Sequence, residues 1–554
     1  MPVSGLFFEA NSIQSYILLG GRLRDVVGAS NLIDELCGGT LDRVLNTLGL
    51  KVGRDCTFVR RAAGAFYAVF EADSTQNALH AQTLAAAWSA TVRHVCPGLG
   101  FNLAVAQGDT VFDCVRAGTA ALAHSKAQPV LPFPVANPLV ERAPRTGLPA
   151  VAHSKVLGAP EFADAAVMAR RQGYGRSKGD KVGDRLLNDL PKSNHKHSWR
   201  FPRNLEHDPR EPGDMDPAIF PFTSESRYLA VIHADANGLG QQLISLIDRA
   251  KELNAKGDAK AAAQYKALLP KLSEAIENSM VSATVSAIEA TLLPAATSAT
   301  LPARPLVLAG DDLSILVRAD LALPFMHHLL NTFEETSAQK ICLLAKNPDF
   351  KDFADLLKTG LTACAGIVFV KNNHPFTHAL HIAEDLCGQA KKEAKNLSRR
   401  SGDAPGVTTA ASAIAMHRLT ESLQGEASVK LPRVKAWGLG KHCEGLPQLS
   451  ALMQLAQQAA TIAHGPLRRL LSTVELSPDE ANEDYRRWRI VMDKTSKETL
   501  IALDEALSNV LPGGEAQSNF RIGTHNGDSV LPDLIDMLTI GQPPAQAKIE
   551  GYAV

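Results

Sequence analysis

The sequence has no cysteine pair at C-x-x-C spacing; its eight cysteines stand singly at 37, 56, 96, 114, 342, 364, 387 and 443. That pattern excludes a zinc knuckle and a disulfide framework, so no zinc is expected, and lone cysteines of this kind belong in the core as small hydrophobes. Aromatic residues are scarce, at 5%. No uninterrupted apolar run is long enough to span a bilayer, and no basic segment followed by an apolar one opens the chain. These absences point to a cytoplasmic protein with no membrane partner. Charge of one sign is also lacking: the formal net charge is −1. No global field then draws nucleic acid, and any RNA contact has to use local patches. The stretch GRSKGD at 175–180 lacks the G-x-x-x-x-G-K-[ST] spacing of a phosphate loop. His207-Asp208 is an isolated dipeptide without partner histidines, which is too little for a nuclease centre.

What is present begins with length. At 554 residues, 45% hydrophobic and 21% charged, the chain is globular and too long for one ordinary core. Two short stretches organise it. RYLAVIHADANGLG at 227–240 is an apolar run of strand formers that ends on Asp235 and meets small residues, which reads as a buried strand feeding a turn and a helix. PLVLAGDDLSILV at 305–317 is two apolar runs around a turn, with Gly310 at the bend and Asp311 and Asp312 at the tip. If the hairpin lies beside the first strand, three carboxylates converge. Adjacent carboxylates repel unless something neutralises them, and an oxygen-only ligand set favours Mg²⁺ or Mn²⁺. A DD dipeptide alone is more often an ordinary surface turn; the upstream strand-Asp is what makes a metal site the stronger reading.

Taken in order, residues 1–130 read as β-α-β-β-α-β-α, the pattern of a ferredoxin-like sheet covered by helices. Ser30 and Ser74 are candidate caps within or before its helices. The same order returns over 223–400, with a helix expected to break or kink at Pro270. This reads as an internal duplication. Glu9-Ala10-Asn11 falls where Asp235-Ala236-Asn237 falls, and 63–66 (AGAF) falls where 309–312 (AGDD) falls. The first copy keeps one acid and lacks both turn carboxylates. Residues 131–222 read as an irregular linker region, and 170–210 within it carries a net charge of roughly +6. That stretch suits either a solvated linker or an arm on RNA with Trp199 and Phe201 for stacking. Residues 401–554 read as a mostly helical domain.

The helix expected at 376–397 supplies a last element. Lys391 and Lys395 are four apart and share one face, well placed for the distal phosphates of a nucleotide, although a solvated basic helix end has the same look.

With these motifs assembled, the chain resembles the large subunit of type III CRISPR effectors, and its second half resembles the palm domain that those subunits share with GGDEF-type cyclases. The resemblance is carried by HADANGLG, by AGDD, by CAGIVFVKNNHPFTHALHIAEDLCGQAKKEAK, and by FFEANSIQSYI with GGRLRDVVGASNLIDEL near the start. It implies an α+β fold of two ferredoxin-like palms plus a mostly helical C-terminal domain. It also implies synthesis of cyclic oligoadenylates from ATP in antiviral defence, with guide and target RNA and other effector subunits as partners. On that resemblance Asp235, Asp311, Asp312 and the Ala236 carbonyl hold two Mg²⁺ or Mn²⁺ ions. Asn237, Gly238, Gly310, Ser314, Lys391 and Lys395 line the nucleotide, and residues 20–24 of the first palm help wall a second base. Departures are AGDD in place of GGDD, Asn237 where an acid is common, and no HD nuclease segment. Two alternatives stay open: a stand-alone palm nucleotide cyclase, and a catalytically vestigial scaffold subunit of a guide-RNA ribonucleoprotein.

Overall fold

The computed structural model describes residues 3–19, 23–62, 64–72, 76–128, 139–144, 146–156, 159–176, 180–191, 198–205, 219–256, 260–400, 410–419, 433–440, 443, 445–510, 524–525 and 528–541. The first unit runs β1 (Val3–Asn11), α1 (Ile13–Leu18), α2 (Leu23–Glu35), α3 (Leu41–Thr47), β2 (Thr57–Ala62), β3 (Ala65–Phe70), α4 (Asn77–Val95), β4 (Gly100–Gly108) and α5 (Val111–Lys126). Its sheet order is β2-β3-β1-β4, antiparallel throughout, which is the ferredoxin-like order read from the sequence. Ser30 is not a cap. It lies inside α2, where its hydroxyl donates to the Leu306 carbonyl at 2.5 Å. Ser74 lies outside the described residues.

The segment between the two units is more regular than its prolines suggest. It contains the hairpin β5 (Ala152–Val156) and β6 (Ala159–Ala163), then α6 (Ala165–Arg176) and α7 (Lys181–Leu187). Helix α6 packs on α2 so closely that a Cβ on Gly28 would fall 1.9 Å from the Arg170 carbonyl oxygen, and one on Gly173 would fall 2.6 Å from that of Gly28. Two of the positive charges here are structural. Arg170 is fully buried under the Tyr16 ring, and Arg171 pairs with Asp25 and Glu161. Phe201 is 3% exposed and unavailable for stacking on a base, and Trp199 is half-buried with its indole N–H on the Pro191 carbonyl. Residues 192–197 and 206–218, with HKH and His207-Asp208, lie outside the described residues.

The second unit repeats the first: β7 (Tyr228–Ala236), α8 (Leu239–Ala255), α9 (Ala261–Ala287), β8 (Ala303–Ala309), β9 (Asp312–Arg318), α10 (Ala322–Ala345), β10 (Ala363–Lys371) and α11 (Phe376–Arg400). Pro270 does not break α9, which is one helix across it. The sheet is larger than expected. Its order is β12-β11-β10-β7-β9-β8, with β11 (Ser412–Arg418) parallel to β10 and β12 (Trp437–Leu439) antiparallel to β11. The expected boundary at 400/401 thus cuts through this sheet. SAIAMHR is too short to carry a helical period and reads either way; α11 supplies the crossover that a parallel partner needs. Beyond it come α12 (Leu449–Ala459), α13 (His464–Leu476), α14 (Pro478–Thr495), α15 (Lys497–Val510) and α16 (Leu531–Ile540), the mostly helical C-terminal part.

Strand β7 is buried on both faces. Leu229 and Val231 join one hydrophobic cluster with Leu316, Ala379 and Ala383, and with Leu6, Phe8, Tyr16 and Leu18 of the first unit. Ala230, Ile232 and Ala234 join the other, with α9 and α10. The α11 face of the second sheet thus packs against the first unit, and α9 on the other face meets it as well, with Tyr265 against Phe112. Of the eight cysteines, seven are buried and Cys342 is partly so, and all are free thiols. No helix among the described residues is long and apolar enough to cross a membrane.

Candidate active site

Side-chain alternation along the strands places the acids. Since Leu229 and Val231 point toward α11, so does Asp235, two steps further along β7. On β9, Leu316 points the same way, and therefore so do Ser314 and Asp312. The β7–β9 ladder runs from Leu229–Arg318 to Ala234–Leu313, which leaves Asp235 and Asp312 facing each other at its open end. Ala309 pairs with Asp312 across the hairpin, so Gly310 and Asp311 form a two-residue turn. Gly310 has φ 63° and Asp311 is not in the left-handed region, the pattern of a type II′ turn that asks for glycine first. Gly238, with φ 74°, opens α8 beside the end of β7. A Cβ on either glycine would meet only open space, so backbone conformation, not crowding, requires them.

Lys391 arrives from α11, as its sixteenth residue. Its ammonium donates to Asp235 Oδ2 and to the Ala236 carbonyl, the latter at 3.0 Å. Burial alone lowers the pKa of this lysine, but the Asp235 charge and hydrogen bond reverse that and hold it above its ordinary value. The hairpin acids are pushed the other way. Burial, then the charge of Asp235, raises Asp311 to about 7. Burial, then Asp235, Asp311 and Glu384, raises Asp312 well above the ordinary aspartate value. His233 Nδ1 lies 3.3 Å from both Ser314 Oγ and Asp312 Oδ1, and burial lowers its pKa, so it adds no fixed charge.

The first unit also reaches in. Gln14, on α1, donates from Nε2 to Asp312 Oδ2 at 2.6 Å. Alongside, Ser15 Oγ lies 3.2 Å from His381 Nε2, and Thr377 Oγ1 donates to the Leu18 carbonyl at 3.4 Å. Arg60 on β2 feels the Asp311 charge. No local signal marks Gln14, since 298 residues separate it from its partner.

The structure thus brings together Asp235, Ala236, Gly310, Asp311, Asp312 and Lys391. Lys395 is one turn further along α11 and exposed. Asn237 turns away, its amide nitrogen donating to Thr362 Oγ1 at 2.9 Å and the Ala411 carbonyl at 3.2 Å. Ser314 is fully buried, which places its hydroxyl behind the carboxylates, not against a nucleotide. Residues 20–22 and the Arg24 side chain, expected to wall a second base, lie outside the described residues.

These residues fit a divalent ion in chemistry. The donors are all oxygen, the carboxylates crowd one another, and the buried Asp312 Oδ1 accepts no hydrogen bond. Among the described residues no three His, Cys, Asp or Glu side chains are closed around one point, so holding an ion requires them to shift.

The first unit has a counterpart in the same place. Glu9 stands opposite Ala65 on β3 and is bonded by Lys126, the last residue of α5, and by Tyr67, with Arg60 at 3.2 Å. Lys126 is the sixteenth residue of its helix, as Lys391 is of α11. The strand-end equivalence of Glu9 with Asp235 holds, but the hairpin equivalence shifts by one. Ala62 pairs with Ala65, so Gly64 and Ala65, not Ala65 and Phe66, stand where Asp311 and Asp312 stand.

Fold and site together define an α+β protein of two facing ferredoxin-like units, with an acidic hairpin on the second. Residues 228–398 match the family model described as Cas10/Cmr2, second palm domain. The second unit is a palm domain of that kind, and the match spans under a third of the chain. Crystal structures of the Csm1-Csm4 cassette overlap nearly all of it. The complex with cA4 covers 97% of this chain and 69% of that one, at 12% identity and TM-score 0.46. For the complex with cA3 the values are 98%, 70%, 10% and 0.48. For the complex with one ATP they are 97%, 70%, 12% and 0.46. A comparison with curated protein sequences finds no match. The palm assignment rests on residues 228–398.

Proposed function

We propose that the chain is a large subunit of the type III CRISPR kind, a nucleotidyltransferase that condenses ATP into cyclic oligoadenylates. Its partners in this reading are guide and target RNA and the other subunits of an effector complex. The observation that carries it is the convergence of Asp235, Asp311 and Asp312 with Lys391, inside the segment that matches the Cas10/Cmr2 palm. A structural turn has no need of two hairpin carboxylates held at raised pKa. Csm1-Csm4 structures with ATP and cyclic products name the substrate class to try first.

Bound Mg²⁺ or Mn²⁺ supplies charge neutralisation of a triphosphate and polarisation of an attacking ribose hydroxyl. Asp235 and Asp311 would hold the ions, with the Ala236 carbonyl as a further ligand and Asp312 in support. Gly310 and Gly238, with open space where side chains would be, let phosphate oxygens approach the backbone. Lys391 and, from one turn away, Lys395 bring positive charge to the leaving pyrophosphate.

The test is labelled ATP with Mg²⁺ or Mn²⁺, with and without candidate RNA, on the wild-type chain and the Asp311→Ala/Asp312→Ala variant. Pyrophosphate release and a nuclease-resistant product from wild type alone support the reading. No product, together with no effect of metal on thermal stability, rejects it in favour of a scaffold subunit.

A further inference from the structure

The Lys391 ammonium sits on Asp235 Oδ2 and the Ala236 carbonyl. Those are two of the oxygens assigned above to a metal ion. One cationic group cannot share them with another at contact distance, because like charges there repel by several kcal/mol even at an effective dielectric of about 20. Three acids meet at the site, yet the lysine bonds only one of them. Asp311 and Asp312 both lie against the Asp235 charge, and Asp312 Oδ1 accepts no hydrogen bond, the His233 ring nitrogen standing 3.3 Å away. The lysine has room to leave: its side chain is 29% exposed, and it is a compact charge on a flexible four-carbon stem.

The first palm shows the same pair without this mismatch. Glu9 takes Lys126, Tyr67 and Arg60 together, and no hairpin acid stands beside it. There the lysine is one part of a saturated cluster; in the second unit it is, among the described residues, the one cation bonded to an unsaturated one.

We infer that Lys391 is an exchangeable counter-ion, which occupies the metal position at Asp235 and Ala236 in the nucleotide-free protein and transfers to the triphosphate when the ion enters. This rests on the proposed metal-site reading and adds an order to it. Ion entry frees the lysine for phosphate, and phosphate draws the lysine off the ion's ligands. Metal and nucleotide therefore bind with positive coupling beyond their own complexation, and the coupling is reciprocal. Glu9 and Lys126 take no part.

The experiment measures free Mn²⁺ by electron paramagnetic resonance during titration of the full chain. Wild type, Lys391→Met, Lys391→Gln, Lys126→Met and Asp311→Ala are compared, each checked for wild-type secondary structure and a cooperative melt. Without nucleotide, both neutral Lys391 variants should bind Mn²⁺ roughly tenfold tighter than wild type. They should also lose most of the extra tightening that a non-hydrolysable ATP analogue gives wild type, while Lys126→Met matches wild type. If the Lys391 variants bind Mn²⁺ no tighter than wild type while Asp311→Ala loses binding, the exchange is wrong and the metal site stands. If wild type and every variant fail to bind Mn²⁺, the metal-site reading falls and the exchange with it.

Discussion

The two ferredoxin-like units of this chain share a strand-end acid and a lysine at the sixteenth position of the helix that packs over it, yet their electrostatics run in opposite directions. Around Glu9, burial alone would raise the carboxyl pKa, but Lys126, Tyr67 and Arg60 overcome it and hold it below the ordinary value. Around Asp311, burial is joined by the charge of Asp235, and the pKa climbs to about 7. The difference lies in two residues at one turn, Gly64-Ala65 against Asp311-Asp312. A palm whose acid is satisfied by its own cations is finished as a structure. One with surplus carboxylates keeps them at raised pKa, the pattern that marks a candidate site.

The largest effect should come from making the second unit resemble the first. Asp311→Asn with Asp312→Asn keeps the shape and removes the surplus charge, and should lower nucleotide turnover by about a thousandfold or more while raising metal-free thermal stability. Unchanged turnover would erase the distinction between the palms. Next in size are the paired lysines. Lys391→Met should cost roughly a hundredfold in turnover, whereas Lys126→Met, at a half-exposed side chain, should leave turnover within about twofold. Equal losses would mean that both palms act on the substrate.

Smaller still is the reverse conversion. Gly64→Asp places a side chain at φ 80° with its Cβ 2.4 Å from Ile13 Cδ1, and should destabilise the chain by about 1–2 kcal/mol in denaturant without creating a metal site. The last contrast is one of pH, followed by chemical denaturation in a chelator. Asp311 has a raised folded pKa, so its share of stability is complete below about 4, the ordinary aspartate value, and is lost as pH rises through about 7. Glu9 has a lowered one, so its share is present above the ordinary glutamate value and lost as pH falls through the folded value. Asp311→Asn should remove the loss toward neutral pH, and Glu9→Gln the loss toward acid; a single common slope in both variants would contradict the assignment.

Much of this was legible because it is local. The apolar run ending on Asp235, the Gly310 turn with its two acids and the lysine spacing on α11 each occupy a dozen or so residues. Strand alternation and helical period then fix which way those side chains point. The misreadings share another cause. SAIAMHR joined the second sheet as β11 because its partner, β10, lay across an intervening helix. The basic stretch at 170–210 reads as a solvated linker or an arm on RNA, but Arg170, Arg171 and Phe201 are held by α1, α2 and the core, the two arginines through contacts made over more than a hundred residues. The first hairpin was matched one residue out because AGAF resembles AGDD letter by letter, while register is set by cross-strand pairing.

By itself, then, the sequence determined that there are two ferredoxin-like units, which of them carries the acids, and which lysine accompanies them, since period and turn chemistry are properties of neighbouring residues. Only the tertiary structure decided that Gln14 of the first unit holds Asp312 of the second, that Lys126 repeats Lys391, and that Lys391 lies on Asp235 and the Ala236 carbonyl. Those facts depend on which buried faces meet, and hydrophobic burial brings faces together without leaving a mark at any single position.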